Sequence, residues 1–380
     1  MLKVLENWRQ SQFLKWVGAI ALLYLLLVAV RLLSTGFQPA FGEQAEALFT
    51  FATNPFLGLM IGILATAIIQ SSSTVSSIVV SLVAGGLPVA TAVPIIMGAN
   101  VGTTITNTIV SLGHLKASEE FKRAFAAATI HDCFNLCCLL LLFPLEMIFH
   151  GLEKGAKFLT QILLTPHQSW NILSFDLLDF LINPVLNGFT KISEPFPSPL
   201  QGLTLACLGL LLILGTIFNL SKLLKALLVG KAREILHNAI GRGALVSILA
   251  GTVMTCIIQS SSTTTSLMIP LAGNGVFSLE QIYPFTLGAN IGTCFTAILA
   301  ATALTGDAAF PGLEIALVHL LYNFCGILII YALPIFRNIP LQGARFLAEI
   351  ATRYQFAALG YILTIFLVLP ALCLGITSRF

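Results

Sequence analysis

Ile68-Ile69-Gln70-Ser71-Ser72-Ser73-Thr74 closes an apolar run that begins at Leu57, and Ile257-Ile258-Gln259-Ser260-Ser261-Ser262-Thr263 closes another that begins at Leu245. Five consecutive amide or hydroxyl side chains are costly in hydrocarbon, where each unpaired polar group costs about 2–7 kcal/mol. The runs that lead into them are also short. Leu57 to Ile69 falls below the roughly 17–25 apolar residues that a spanning helix needs, so the sequence predicts a half-helix that stops inside the membrane and turns back. Irregular backbone at that depth is tolerated only where it is buried in protein or lines a cavity. The two tips are therefore expected to meet at a shared site.

The rest of the chain fits a membrane setting. Its 380 residues are 57% hydrophobic and only 9% charged, with a mean hydropathy of +0.94, too few charges to solvate a water-facing surface. Trp16 to Leu33, Ala124 to Leu145, Leu200 to Leu220, Ile315 to Ile335 and Phe356 to Ile376 are each long enough to cross the bilayer as helices. None alternates with period two, which excludes a β-barrel. No small-x-small cleavage site follows Leu33, so the N-terminal run reads as a span rather than a cleaved leader. The eight cysteines (133, 137, 138, 207, 256, 294, 325 and 373) lie in apolar segments without metal-ligand spacing, as small core residues do. The net charge of +3 sits in loops, where it reports topology and not nucleic-acid binding.

The repeated heptapeptide is part of a larger duplication. Asn54 to Leu112 aligns with Gly243 to Leu304 at an offset of 189, the distance from Gln70 to Gln259. After one inserted residue, Gly98-Ala99-Asn100-Val101-Gly102-Thr103 matches Gly288-Ala289-Asn290-Ile291-Gly292-Thr293, and His131 and Asn135 match His319 and Asn323. A unit of about 80–90 residues has been copied.

Flanking charges give the relative orientation of the copies. Ser34 to Ala47 precedes the first with Glu43 and Glu46 and no Lys or Arg. Lys222, Lys225, Lys231, Arg233 and Arg242 precede the second. The loop after the first central block carries Lys116, Lys122 and Arg123, its counterpart only Asp307 and Glu314, and Arg337, Arg345 and Arg353 return to the basic side. By the positive-inside rule the units enter from opposite faces. The predicted fold is an all-α polytopic membrane protein with two inverted-topology repeats, each with a re-entrant helical hairpin, plus scaffold helices. Such folds place their substrate near the midplane, at the repeat interface. The expected division is an N-terminal helix and outside loop (1–46), repeat 1 (47–148), an outside loop with interfacial segments and a linking helix (149–221), repeat 2 (222–335), and an amphipathic segment with a C-terminal span (336–380).

The chemistry of the tips suits an anion and a cation together. Ser and Thr are favoured N-caps of the returning half-helix, whose first N–H groups and dipole attract an anion. Yet no Asp, Glu, Lys or Arg lies between Glu46 and Lys116, or between Arg242 and Glu280. A multivalent anion held by hydroxyls and dipoles alone is poorly compensated unless a mobile cation enters with it. Hydroxyls, amides and carbonyls are hard oxygen ligands that suit an alkali cation. The competing reading of the serines is helix-to-helix glue, which does not account for two copies in oppositely oriented hairpins. The glycines at 98, 102, 288 and 292 allow either close packing or local unwinding.

With these motifs in hand, the chain resembles the type II sodium-dependent phosphate cotransporters. The resemblance rests on the paired Gln-Ser-Ser-Ser hairpins, on Pro94-Ile-Ile-Met-Gly-Ala-Asn-Val-Gly-Thr-Thr104 and on Arg123-Ala-Phe-Ala-Ala-Ala-Thr-Ile-His-Asp-Cys-Phe-Asn135. It covers both repeats, and the short termini and modest middle loop suggest a bacterial inner-membrane member with a cytoplasmic N-terminus. It implies phosphate held by Ser71, Ser72, Ser73, Ser260, Ser261 and Ser262. It implies co-transported Na+ held by Gln70, Thr74, Asn100, Thr103, Thr104, Asp132, Gln259, Ser260, Thr263, Asn290, Thr293 and Thr296. Elevator-like movement of a hairpin core, and a homodimer formed through scaffold contacts, belong to the same implication.

Asp132 is an ionisable residue in an apolar helix, which by default marks an ion pathway. In the family, Ala-x-Ala-x-x-x-Asp marks electrogenic members, and Ala126, Ala128 and Asp132 match it. The alternative is a surface-level Asp paired with Arg123 or Lys122. The second repeat has Leu320 in its place and Cys294 in place of Thr104, so the halves need not bind equal numbers of ions. His131 and His319 read as hydrogen-bonded packing residues. An intramembrane phosphatase would need a base or Arg beside the serine, which neither hairpin supplies. A channel fits the broken helices but lacks charge rings, and another oxyanion such as sulfate or arsenate would suit the same site.

Overall fold

A computed structural model describes residues 12–41, 54–115, 118–164 and 175–377. The topology charges Glu43, Glu46 and Lys116 lie outside the described residues, as do the side chains of Lys231 and Arg233. The described chain is all-α. Its first helix is α1 (Gln12–Phe41), followed by a hairpin of α2 (Pro55–Ile69) and α3 (Ser72–Ala84). Next come α4 (Val89–Gly102), α5 (Ile105–Ser111) and α6 (Ser118–Phe149), then two strongly amphipathic helices, α7 (Gly151–Leu164) and α8 (Phe175–Ser193). Helix α9 (Ser198–Ala239) leads into the second hairpin, α10 (Ala244–Ile258), α11 (Ser261–Ser266) and α12 (Met268–Gly273). The chain closes with α13 (Leu279–Thr302), α14 (Ala309–Gly326), α15 (Pro334–Arg353), α16 (Gln355–Leu363) and α17 (Leu369–Thr377).

Among the described residues, seven helical stretches are long and apolar enough to span: 12–37, 89–114, 118–149, 199–227, 279–302, 306–331 and 356–376. Neither hairpin is among them, because α2, α3 and α10 are each only 13–15 residues long. Three spans separate the first hairpin from the second. An odd number of crossings puts the second on the opposite face, so the inversion read from basic residues follows again from connectivity.

Lipid tails give apolar side chains no reason to prefer protein, so these helices associate through close backbone packing at small residues. The copies use the same device at equivalent places. A Cβ on Gly62 would lie 2.1 Å from the Ile95 carbonyl oxygen, and one on Gly251 2.1 Å from that of Phe285. A Cβ on Gly98 would lie 2.1 Å from the Leu59 carbonyl, and one on Gly288 1.9 Å from that of Ile248. Each hairpin's first arm is thus locked face to face with the Gly-Ala-Asn helix of its own repeat. Helix α13 runs unbroken through Gly288 and Gly292, and α4 continues to Gly102, so these glycines serve packing. Helices α1 and α9 form a separate pair, with Gly36 against Gly202 and Gly209 against Leu33.

One buried charge ties this pair to its neighbours. Arg31 of α1 is 7% exposed, and its guanidinium donates to Asp179 and Asn183 of α8 and, beyond α13, to the Ala303 carbonyl and the Thr305 hydroxyl. A guanidinium in a span requires this many partners.

Replacing Gly288 by Ala should force α10 and α13 apart and cost about 1–3 kcal/mol, seen as a lower unfolding temperature in detergent. Gly188→Ala, where a Cβ meets nothing within 4 Å, should be neutral or slightly stabilising.

Candidate functional site

The tips adopt one geometry twice. Gln70 and Gln259 end their helices in the left-handed region, at φ 57° and 58°, and each returns its N–H to a threonine carbonyl, Thr66 or Thr255, at 2.7 Å. Left-handed backbone at a non-glycine residue carries a cost that packing must offset. The next residue is an extended N-cap. Ser71 accepts the N–H of Thr74, and Ser260 that of Thr263, each at 3.2 Å. The paired hydroxyls also meet, Ser71 with Thr74 at 2.8 Å and Ser260 with Thr263 at 3.0 Å. The N–H groups of Ser72, Ser73, Ser261 and Ser262 open the returning arms, where a helix has no acceptor of its own to give them. Two positive helix ends result, without a charged side chain.

Both tips line one cavity of about 720 Å³, to which Gln70, Ser71, Thr74, Ser260, Ser262 and Thr263 contribute. Its remaining polar wall comes from Thr106 and from Ser221, Lys222 and Lys225 of α9. Ser221 also donates to the Gln259 carbonyl at 3.3 Å. The lysines revise the electrostatic reading, because the tips are uncharged while the third wall is basic. Their exposed side chains are well placed to attract an anion and less able to neutralise one in a drier site. Among the described residues, no Asp, Glu, His or Arg lines this cavity.

Behind the tips a buried amide network crosses the repeat boundary in both directions. Asn100 donates to Asn323 and Asn290 to Asn135, each at 2.7 Å. His319 Nε2 lies 3.5 Å from Asn100 Oδ1, and His131 Nε2 lies 2.5 Å from Asn290 Oδ1. These amide and imidazole contacts from repeat 1 to repeat 2 thus have their mirrors from repeat 2 to repeat 1, as a two-fold relation requires. Ser262 carries the same interlock to the tip, donating to the Thr103 carbonyl at 3.2 Å, where α4 breaks before α5. Asn107 and Thr265 form a further link at 2.8 Å.

Asp132 is 1% exposed. Thr108 of α5 donates to its Oδ2 at 3.4 Å and Tyr361 of α16 at 3.1 Å, while Oδ1 is buried without a hydrogen-bond partner. The surface-level alternative is corrected by this placement. Arg123 turns away to the Gly273 carbonyl at 2.8 Å, and the carboxylate lies well inside the helix, facing α5.

The sequence profile of the family described as Na+/Pi-cotransporter matches residues 25–165 and 211–339. The chain belongs to that family. It is similar to sodium-dependent phosphate transport protein 2B of Homo sapiens, 33% identical with 96% of this chain and 66% of the relative covered. It is also similar to protein 2A of Oryctolagus cuniculus, at 34% with 94% and 66% covered, and to protein 2A of Rattus norvegicus, at 34% with 97% and 70% covered. The chain thus spans about two thirds of the length of these relatives. No solved structure matches it.

The residues expected to bind phosphate and Na+ divide between the cavity and the buried layers behind it. Ser71, Ser260, Ser262, Gln70, Thr74 and Thr263 face the cavity, whereas Ser72, Ser73 and Ser261 are buried behind it, each 2% exposed. Asn100 and Asn290 sit in the amide network, and the Thr103, Thr104 and Thr293 hydroxyls bond to carbonyls of their own helices. Gln259 accepts from Thr296 at 2.8 Å, and Asp132 stands apart with Thr108 and Tyr361. Sequence reading missed Lys222 and Lys225 as cavity residues because their basic charge was spent on topology, and Ser221 because a lone serine in an apolar helix carries no signal. It missed Tyr361 because nothing local marks it.

Asn290→Ala should leave Asn135 and His131 with unpaired polar atoms at about 1–3 kcal/mol each. Adding Asn135→Ala should cost at least about 0.5 kcal/mol less than the sum of the single losses, measured by unfolding in detergent. Strict additivity would show that the amides act independently.

Proposed function

We propose that this chain is a secondary active transporter that imports inorganic phosphate together with Na+. The observation that carries the reading is that two Gln-Ser-Ser-Ser tips, from oppositely inserted repeats, line a single cavity. Helix-end N–H groups and the Ser71, Ser260 and Ser262 hydroxyls would hold phosphate oxygens. Gln70, Thr74 and Thr263 beside them, with Gln259, would offer oxygens to Na+. The remaining expected ligands Ser72, Ser73, Ser261, Asn100, Thr103, Thr104, Asn290, Thr293 and Thr296 stand behind the tips, where exchange of internal hydrogen bonds for ion contacts would accompany loading. Cation charge supplied with the anion would offset the burden of phosphate in a low-dielectric site.

Alternating access would proceed by elevator-like movement of the hairpin core against the α1 and α9 pair. Basic residues before the second hairpin would place the cavity opening on the cytoplasmic side of a plasma membrane, with the N-terminus on that side. The bacterial inner membrane and a homodimer belong to the reading on family resemblance alone. Asp132, with its unpartnered oxygen, would hold an extra Na+ on the first repeat and make transport electrogenic. Another oxyanion, such as sulfate or arsenate, would meet the same hydroxyls and would show as competition against phosphate.

In proteoliposomes, radiolabelled phosphate uptake is expected with an inward Na+ gradient and not with K+ or without a gradient; sodium-independent uptake would overturn the reading. Asp132→Gly should keep phosphate uptake and lose transport current. The pair Lys222→Gln and Lys225→Gln should raise the phosphate KM several-fold at low ionic strength, with the effect shrinking as inert salt is added. A salt-independent change would place the lysines in direct contact with phosphate.

A further inference from the structure

The first repeat differs from the second around Asp132 in more than that residue. Thr104, Thr108 and Asp132 have Cys294, Ile298 and Leu320 as their repeat equivalents, and α4 gives way to α5 at Thr103–Thr104 where α13 runs straight through. One polar niche has no counterpart, and it is built against a third element. Tyr361 Oη lies 3.1 Å from Asp132 Oδ2. Its helix belongs to a span, Phe356–Ile376, whose central window is only 17% buried and which lies beyond the residues matched by the family profile.

The span is nevertheless seated with care. It packs along α2 and α5 of the first repeat and against α15, with Ile362 and Phe366 in the main core and Ala358 beside Phe121, Phe125, Ala348 and Ala351. The Tyr361 ring meets Phe366 edge-on with centroids 6.0 Å apart, across a π-helical turn at Thr364–Val368. Such turns re-aim side chains and are frequent at functional sites. The hydroxyl that results does one identifiable thing, which is to donate to Oδ2. An ionised carboxylate is acceptor-only with two oxygens to satisfy. Tyr361 and Thr108 both occupy Oδ2, and Oδ1 is left buried and unpaired, a cost that an incoming cation would remove.

We propose that Tyr361 is a positioning residue for the cation taken up at Asp132: its hydroxyl fixes the carboxylate so that Oδ1 is presented to the ion, which makes the C-terminal span part of the transport machinery. The proposal rests on the sodium-coupled reading above. A tyrosine hydroxyl is neutral and cannot replace the carboxylate's charge, so its loss should weaken cation binding without abolishing it. The coupling also runs the other way, because binding free energies between linked sites are reciprocal. Sodium at Asp132 should hold the C-terminal span against the first repeat.

The test is Tyr361→Phe, which removes one oxygen and keeps the ring against Phe366. Equilibrium binding of radiolabelled Na+ to purified protein in detergent with phosphate present, and Na+-dependent phosphate uptake in proteoliposomes, are measured side by side. The expected result is a rise of about tenfold in the Na+ half-saturation of one class of sites, as loss of a charge-assisted hydrogen bond would give, with the phosphate KM at saturating Na+ unchanged. In an Asp132→Gly background the same substitution should have no effect on Na+ binding. Ile362→Ala, which loosens the same turn but keeps the hydroxyl, should leave the half-saturation where it is. No shift in Tyr361→Phe, an equal shift in the Asp132→Gly background, or an equal shift from Ile362→Ala would each overturn the proposal. Failure of the transport reading would show separately, as wild-type protein without sodium-dependent phosphate uptake.

Discussion

Hydrocarbon offers no partner to a peptide group, so every place where a helix stops inside the membrane must be capped by the protein itself. Among the described residues this fold stops helices there at Gln70, at Gln259, between α4 and α5 and between α11 and α12, and the rest of the structure answers those stops. Ser71 and Ser260 cap the arms that restart. The Thr103 carbonyl, at the stop in α4, takes the hydroxyl of Ser262 from the other repeat, and the Asn100 carbonyl takes the amide of Asn135. The caps come both from within a repeat and from across the repeat boundary. Neither unit could satisfy its interior alone, which is why the site forms at their junction.

The same constraint separates binding groups from supporting groups. Residues of one motif divide by a single helical step, so that Ser71 reaches the cavity and Ser72 does not. Asn100 and Asn290 hold the repeats together where sequence reading had them as cation ligands, and a buried network of this kind fixes one arrangement because each member depends on the others. In the loading step proposed above, cation binding and repeat packing would draw on the same side chains. A protein that must alternate between states benefits from that overlap, since exchanging internal hydrogen bonds for ion contacts changes the packing balance without creating unpaired groups.

Duplication gives a two-fold frame and divergence gives it direction. The tips match within a few degrees of backbone angle, yet the first repeat pairs a break in its Gly-Ala-Asn helix with Asp132 and a tyrosine lent by the C-terminal span, where the second has an unbroken helix and Leu320. Symmetric tips suit a near-symmetric anion, whereas an asymmetric charge suits a site present once. The basic wall from α9 adds a second asymmetry, placing positive charge on one side of the cavity.

The sequence by itself determined the membrane setting, the duplication, its inversion and the hairpin tips. Those follow from local quantities: the length of an apolar run, the distribution of Lys and Arg, and the capping chemistry of Ser and Thr. It marked Asp132 as exceptional because an ionisable group in hydrocarbon is costly wherever it packs. Only the tertiary structure decided which polar residues face the cavity and which brace the repeats, since a helix turns by about 100° per residue and its neighbours set which side is inside. Lys222, Lys225 and Tyr361 reach their places from segments far along the chain, Tyr361 from 229 residues beyond Asp132. No local pattern encodes such a meeting, because it depends on how whole helices pack.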